Sequence, residues 1–397
     1  MKQNDTAALA AKLRENLPVA VEIRRAIHRR PELAFQEFET ASLIRRYLED
    51  WGVELLDSGL PTAVAARIRG VEEGPAILVR EDIDALALQE ATGLPFASEL
   101  EGRCHACGHD IHTASLLLLA RVMQEHRHRL KGTVLLAFQP AEERAAGAKA
   151  MLAAGFGQGD TRYDQVIGFH TAPELTVGEV GFAKGPANAS FDIIHITVRG
   201  RGGHGAHPYL CADPVVTAAY LITQLQTVIS RENPALQPAV LTIGSIHGGT
   251  AENIIPTQVE MGGTLRAFHE DGRHRMWESI RRITRNCCAA MGAQGEVEIQ
   301  EGLPVLDNDP HVCDGLSAAA ARILGADHVH TVSATTGSDD FSCFQALAPG
   351  VQFRVGTGNS APESRFGIHN PQNLFDEESI YVGAAVLCQY LLEDLSP

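Results

Sequence analysis

The segment His105-Ala106-Cys107-Gly108-His109-Asp110-Ile111-His112 places five side chains able to hold a metal or a proton within eight residues. A cysteine and a histidine one residue apart in a glycine-containing turn can aim at one cation, and thiolate and imidazole are the natural ligands of zinc and its neighbours. The alternative is a polar turn in which Asp110 or Thr113 caps the helix that follows. A second concentration is Phe138-Gln139-Pro140-Ala141-Glu142-Glu143, where two adjacent carboxylates come just after an apolar run. Adjacent residues point in different directions, so one glutamate can bind metal while the other handles protons. Two solvated glutamates opening a helix would look the same. His170 follows the apolar run Val166-Ile167-Gly168-Phe169, and His369 lies in Gly367-Ile368-His369-Asn370-Pro371. Each alone reads more readily as a hydrogen-bonded structural residue than as a ligand. Together they make one cysteine, three histidines and two glutamates, and five ligands plus water suit two metals sharing a bridge, roughly 3.5–4 Å apart as in hydrolases.

These side chains need a scaffold to hold them. The first third alternates helical and strand patterns: an amphipathic start through Arg25, a helix over 37–51, and strands over 63–68 and 76–79. The run 115–123 is apolar nearly all round, which predicts a buried helix. Strands over 133–138 and 165–169 are apolar enough to be central in a mostly parallel α/β sheet. Ligands bind at the carboxyl ends of the strands in such sheets, and Glu142, Glu143 and His170 fall at those ends. From about Pro186 the rhythm changes to strand 191–198, helix 214–230, strands 240–245 and 259–266, helix 273–291 and strand 296–301. That is a β-α-β-β-α-β order, the ferredoxin-like unit. A helix after Asp309, a strand over 351–355 and a helix after Asp376 then resume the first pattern. The expectation is a two-domain α/β protein: a discontinuous metal-binding catalytic domain over 1–185 and 303–397, with an inserted ferredoxin-like α+β satellite over 186–302.

The bulk composition narrows the function classes. The chain has 397 residues, 45% hydrophobic and 21% charged, which is ordinary globular content and argues against a disordered or fibrous chain. A net charge of -16 sets up a repulsive field against polyphosphates, so neither nucleic acid nor an anionic membrane is an expected partner. No stretch stays apolar for the roughly 18 residues a membrane helix needs, and the N-terminus lacks the apolar core of a signal peptide. Eight cysteines without disulfide-framework spacing fit a reducing compartment, so the expected location is cytoplasmic.

The pairing of His105-Ala-Cys-Gly-His-Asp with Gln139-Pro-Ala-Glu-Glu resembles the M20 metallopeptidase family, in its amidohydrolase branch of aminoacylase-, hippurate hydrolase- and auxin-conjugate hydrolase-like enzymes. The resemblance covers nearly the whole chain. His28-Arg-Arg-Pro31-Glu32, Arg80 to Leu86, Gly203-His204, Gly249 to Pro256 and Gly263-Thr-Leu-Arg266 look like family blocks in the family order. It implies a centre of two divalent metals (zinc, manganese, cobalt or nickel) held by Cys107, His109, Glu143, His170 and His369, with Glu142 as the catalytic carboxylate. It also implies a satellite domain that forms a homodimer, His204 reaching into the partner subunit's site, and Asn253 and Arg266 holding a substrate carboxylate.

On that reading Glu142 takes a proton from water and delivers it to the leaving nitrogen, and His204 donates to the oxyanion of the tetrahedral intermediate. The expected reaction is hydrolysis of a small N-acyl or N-aroyl amino acid. Related hydrolysis of a dipeptide, a carbamoyl compound or an aromatic amine uses the same parts, and a catalytically silent metal-binding homologue is a further alternative. The chain departs from the family pattern at Glu81, Ala87, Cys104 and His207. An extra carboxylate at Glu81, near a metal site, is expected to bear on metal or substrate preference.

Overall fold

The apolar runs expected as central strands do form the middle of a sheet. The computed structural model of the protein describes residues 3–158 and 163–395. Its eight-stranded sheet runs in the order Glu54–Leu56, Val64–Arg69, Lys131–Gln139, Glu72–Asp82, Gln165–Thr176, Gly350–Gly358, Val180–Phe182, Val329–Thr331. The four middle strands are mutually parallel, and Ile77, Val79, Val134, Leu136, Ile167, Phe169, Val351 and Phe353 are fully buried along them. Burial on both faces is why these strands read as unbroken apolar runs rather than alternating ones. The sheet is mixed at its margins: Val64–Arg69 and Val180–Phe182 join the parallel core antiparallel.

Helices Gln3–Arg29, His109–Glu125 and Glu378–Asp394 pack together beside the sheet. His109–Glu125 is the helix expected to be buried all round, with Leu116 to Leu119 shielded from water. It carries the chain from Glu72–Asp82 to Lys131–Gln139 on one side, and the chain later returns to Gln165–Thr176 on the other. Strand order therefore reverses around Glu72–Asp82. Its ladder with Gln165–Thr176 ends at Val79↔Ile167, so the two strands part beyond that point. A crevice at the carboxyl ends of such strands is where α/β sheets bind ligands.

The chain divides into two compact units. One runs through Gly185 and includes Asp307–Ser333 and the chain from Asp339 onward; the other is Pro186–Leu306 with Ala334–Ser338. The second unit thus runs past the expected limit at 302 and takes in a later loop. Hydrogen bonds hold that loop: Thr335 N–H donates to Ala187 O at 2.9 Å, and Ala189 N–H donates to Thr335 O at 3.2 Å.

Within the second unit the antiparallel sheet has the order Ala239–Gly248, Gln258–Ala267, Phe191–Arg199, Gln294–Leu303. Helices Pro214–Thr227 and Glu270–Ala290 contribute to a separate apolar core with Ile194, Ile196, Leu221, Leu225, Ile280 and Ile283. The β-α-β-β-α-β order is the one read from the sequence. The strands that reading omitted, such as Val180–Phe182, Gly203–His204 and Val329–Thr331, have two or three residues each, too few to show a period.

One buried ion pair anchors this unit. The Arg273 guanidinium donates through Nε and Nη2 to the two oxygens of Asp192 at 2.9 and 2.5 Å, and both side chains are buried. Trp277 Nε1 and Gly302 N–H also donate to Asp192. Arg273→Leu leaves a buried carboxylate without its cation, so it is expected to destabilise the second unit by about 3–5 kcal/mol. The urea midpoint, followed by Trp277 fluorescence in a Trp51→Phe background, checks this; an unchanged midpoint counts against it.

Candidate metal centre

The helix His109–Glu125 begins without a side-chain cap. Gly108 supplies the N-cap in a left-handed conformation, φ 89°, so neither Asp110 nor Thr113 acts as the cap that the alternative reading of this turn required. The Asp110 carboxylate accepts from Arg24 Nε at 2.7 Å and His28 Nδ1 at 2.8 Å, and Thr113 Oγ1 donates to His109 O. A Cβ at Gly108 would meet Thr171 Cγ2 at 2.8 Å. The turn is therefore pressed against the strand that carries His170. Thr171 Oγ1 donates to Cys107 O at 2.6 Å, and His369 N–H donates to Ala106 O at 2.8 Å, stitching the three segments together.

The structure brings the five expected ligands into one cluster. Cys107, His109 and His170 form one triad and Cys107, Glu143 and His369 another, with the donor atoms of each within 4.8 Å of one another. The two triads share Cys107. Cys107 Sγ lies 3.5 Å from His170 Nε2, His109 Nε2 3.8 Å from Glu143 Oε1, and His369 Nε2 3.3 Å from Glu143 Oε2. His369 is half exposed and has φ 64°, in the left-handed region that histidine enters more readily than most non-glycine residues.

Hydrogen bonds behind the donors decide which atoms face inward. His109 Nδ1 donates to Asp84 O at 2.9 Å and His170 Nδ1 donates to Thr171 O at 2.8 Å, so each ring presents Nε2 to the cluster. His112, in the same motif, has both nitrogens occupied: Nδ1 donates to Asp82 Oδ1 at 2.6 Å and Nε2 accepts from Thr171 N–H at 3.0 Å. His109 Nε2 and Glu143 Oε1 are buried without a hydrogen-bond partner. Buried polar atoms are rarely left so, and a cation between them would satisfy both.

Electrostatics favour a positive charge in the same place. Burial opposes a charge on His109, yet Asp82, Cys107 and Asp84 together outweigh it and raise its pKa well above the usual range. Burial, with the charge of Glu143 adding, holds the Cys107 thiol well above its usual range. A nearby metal ion makes such a thiol a thiolate. Burial holds His170 at about 3, the neutral form in which imidazole coordinates. The donor set therefore fits a metal centre.

The glutamates leave the strand through a tight turn rather than opening a long helix. Ala141 has φ 56°, Glu142–Arg144 is a single 3₁₀ turn, and the helix Gly147–Ala153 starts later. A Cβ on Gly147 would come within 1.6 Å of Pro140 O, so the chain folds back on itself there. Asp84 Oδ1 accepts Glu142 N–H at 3.1 Å and Oδ2 accepts Glu143 N–H at 3.0 Å. The two carboxyls differ in electrostatic setting. Burial, with Asp339 and Asp340 adding, pushes Glu142 well above the carboxylate range. Burial works the same way on Glu143, but the hydrogen bond with His369 and the charge of His109 outweigh it and lower its pKa.

Beneath the turn lies a network that joins the block Arg80 to Leu86 and Gln139 to Asp340, a residue outside any motif. The buried Arg80 guanidinium reaches Gln139 Oε1 at 2.7 Å, Asp82 Oδ2 at 2.9 Å and Asp340 Oδ1 at 2.8 Å. Asp82 and Asp84 lie in the block Arg80 to Leu86, at and just past the end of an apolar strand. Asp339 and Asp340 lie in no such block. Glu81 is fully buried; its Oε1 accepts Phe169 N–H at 3.0 Å and its Oε2 lies 3.7 Å from His112 Nδ1, so its contacts are with these groups and not with the five donors. Cys104 is a buried thiol raised to about 12 by burial.

His204, Asn253 and Arg266 belong to the second unit. His204 is exposed on the short strand Gly203–His204, opposite Ile254, and Gly205 N–H donates to Asn253 O at 2.8 Å. Ala206 N–H donates to His204 Nδ1 at 3.1 Å, which leaves the ring proton on Nε2. His207 N–H donates to His204 O. Arg266 Nη1 donates to Thr336 O at 2.8 Å and Ser338 Oγ at 2.9 Å, with the guanidinium 4.9 Å from the Phe191 ring centre.

Residues 78–393 match the family model described as peptidase family M20/M25/M40. The chain belongs to this family. It is 43% identical over 374 residues to an N-acetylcysteine deacetylase of Bacillus subtilis, covering 94% of this chain and 95% of that one. It is 35% identical over 381 residues to an IAA-amino acid hydrolase of Arabidopsis thaliana, covering 94% and 86%. Among solved structures it resembles a dinuclear metal-binding peptidase of the M20 family from Bacillus subtilis, with a TM-score of 0.84 and 38% identity over 96% of this chain and 99% of that one.

Because Gly108 has φ 89° and no room for a Cβ, Gly108→Ala is expected to displace Cys107 and His109 together. Elemental analysis of the purified variant should give a metal content well below that of the wild type, while its far-ultraviolet dichroism remains native. Wild-type metal content would show that the turn does not set the ligand geometry.

Proposed function

We propose that this member of the family hydrolyses the amide bond of N-acyl or N-aroyl amino acids, giving a carboxylate and a free amino acid, at a centre of two divalent metals. The observation that carries this reading is the pair of overlapping donor triads that share Cys107, with His109 Nε2 and Glu143 Oε1 buried and unpartnered between them. The substrate class is supported by relatives that act on N-acetylcysteine and on IAA-amino acid conjugates. Cys107, His109, Glu143, His170 and His369 are assigned as the ligands. One thiolate, three imidazoles and a carboxylate suit zinc, manganese, cobalt or nickel.

When bound, the metals supply Lewis acidity, which lowers the pKa of water and polarises the substrate carbonyl. Glu142, beside the ligands and not counted among them, takes the proton from the attacking water and returns it to the leaving nitrogen. His204 donates from Nε2 to the oxyanion; its Nδ1, occupied by Ala206 N–H, supports that tautomer. Arg266, its Nη1 fixed by Thr336 and Ser338, offers its remaining edge to the substrate carboxylate bidentately, with Asn253 beside it in role.

Two further assignments concern the protein's surroundings. We assign a homodimer through the second unit, on the exposed apolar side chains Val215, Val216, Tyr220, Val240 and Ile246 and on the edge strand Ala239–Gly248. A cytoplasmic location is supported by eight free cysteines, seven of them buried. No helix of the described residues is long and apolar enough to cross a membrane.

Amine release from a panel of N-acetyl and N-benzoyl amino acids, run beside elemental analysis, tests the reading. About two metals per chain and chelator-sensitive release are expected. Glu142→Gln should keep both metals and lose at least about 10²-fold in kcat, whereas Cys107→Ala should lose metal first. Full activity in Glu142→Gln removes its assigned role. His204→Ala should lower kcat by about 10²-fold with metal content intact, and normal turnover would make His204 a turn residue only. Sedimentation analysis checks the dimer, which a monomeric mass overturns.

A further inference from the structure

Glu37 is a fully buried carboxylate that the reaction above does not use, and no cationic side chain pairs with it among the described residues. It stands just ahead of the helix Phe38–Asp50. Its Oε1 accepts two backbone N–H groups, from Phe35 at 3.0 Å and from Ala141 at 2.9 Å, while Oε2 is buried without a partner. Phe35 and Ala141 are two of the four non-glycine residues with positive φ among the described residues, at 62° and 56°. A single carboxylate oxygen therefore holds two left-handed residues that lie far apart in sequence.

Ala141 immediately precedes Glu142. The N–H groups of Ala141, Glu142 and Glu143 are held in succession by two buried carboxylates, the first by Glu37 and the next two by Asp84. Asp84 also receives His109 Nδ1, so changing it disturbs a metal ligand. None of the hydrogen bonds of Glu37 goes to an assigned ligand; they go to the N–H groups of Phe35 and of Ala141, and only the second belongs to the glutamate turn. Ala141 is completely buried. Without Glu37 its N–H has no water to turn to, and the left-handed conformation loses the bond that holds it.

We propose that Glu37 is a positioning residue for the hydrolytic step: by holding Ala141 left-handed it sets where the Glu142 carboxylate stands. The inference rests on the reading of Glu142 as the proton carrier. The bond needs only an accepting oxygen, and burial already lifts the pKa of Glu37 to about 7, so an uncharged amide is a close substitute.

The test is steady-state kinetics on N-acetylcysteine, with metal analysis, for Glu37→Ala, Glu37→Gln and Glu142→Gln. Glu37→Ala is expected to keep the wild-type metal content and KM and to lose about 10²-fold in kcat, the scale of a misplacement near 1 Å. Glu37→Gln should recover most of that loss. Wild-type kcat in Glu37→Ala overturns the proposal, as does loss of the metals together with turnover. If Glu37→Ala does not fold, Glu37→Asp carries the same test: one methylene shorter, it cannot reach both N–H groups, and wild-type kcat there is likewise fatal. An inactive Glu142→Gln beside a normal Glu37→Ala sinks only the positioning role. A fully active Glu142→Gln sinks the reading of Glu142 and the positioning role with it.

Discussion

Asp84 ties together the two segments on which the centre depends. Its carbonyl oxygen and Oδ1 face His109 Nδ1, at the start of the helix His109–Glu125, and its two carboxylate oxygens take the N–H groups of Glu142 and Glu143. One residue thus orients His109 and anchors the glutamate turn. A histidine that faces a metal site is normally oriented by a hydrogen bond from its other nitrogen, and buried backbone N–H groups of a tight turn need acceptors. Both conditions meet at one side chain placed two residues beyond Asp82, the last residue of its strand.

Around that junction the charges are arranged so that adjacent carboxyls behave differently. The acids beneath the turn, Asp339 and Asp340, lie on the Glu142 side and make ionisation there costly, whereas His109 and His369 face Glu143 and favour it. Buried Arg80, bonded to Asp82, Asp340 and Gln139, keeps this density of acids from being a pure liability, since a buried carboxylate without a cation or donors is strongly destabilising. The opposite pKa directions of the two glutamates follow from what each faces rather than from residue type.

The second unit follows a different rule. Its sheet is antiparallel and its strands alternate buried and open positions, as Phe191–Arg199 does, so its core comes from one sheet face and two helices. Short bonded segments such as Gly203–His204 with Ile254–Ile255 then hold side chains that periodicity does not announce. The loop Ala334–Ser338 joins this unit because Ala187, Ala189 and Arg266 bind its backbone. Such long-range bonds leave no trace in local pattern, which is why the boundary read at 302 falls short.

The order and kind of the longer elements were legible because burial imposes a period: unbroken apolar runs for the central strands, an all-apolar run for the buried helix, and the β-α-β-β-α-β rhythm of the second unit. The donor types were legible as well, since cysteine, histidine and glutamate at the ends of strands carry their chemistry with them. The alternatives that sequence left open, a helix cap at Asp110 or Thr113 and a helix opened by Glu142 and Glu143, were closed only by the fold, through Gly108 and the left-handed Ala141. In the same way, spacing from Cys107 favours His109 over His112, but only the fold shows that one has a nitrogen without a hydrogen-bond partner and the other has both nitrogens bonded. By itself the sequence determined which groups were available and the periods that bury them. Only the tertiary structure decided which of their lone pairs remain free, because hydrogen bonds are satisfied by partners brought from tens to hundreds of residues away.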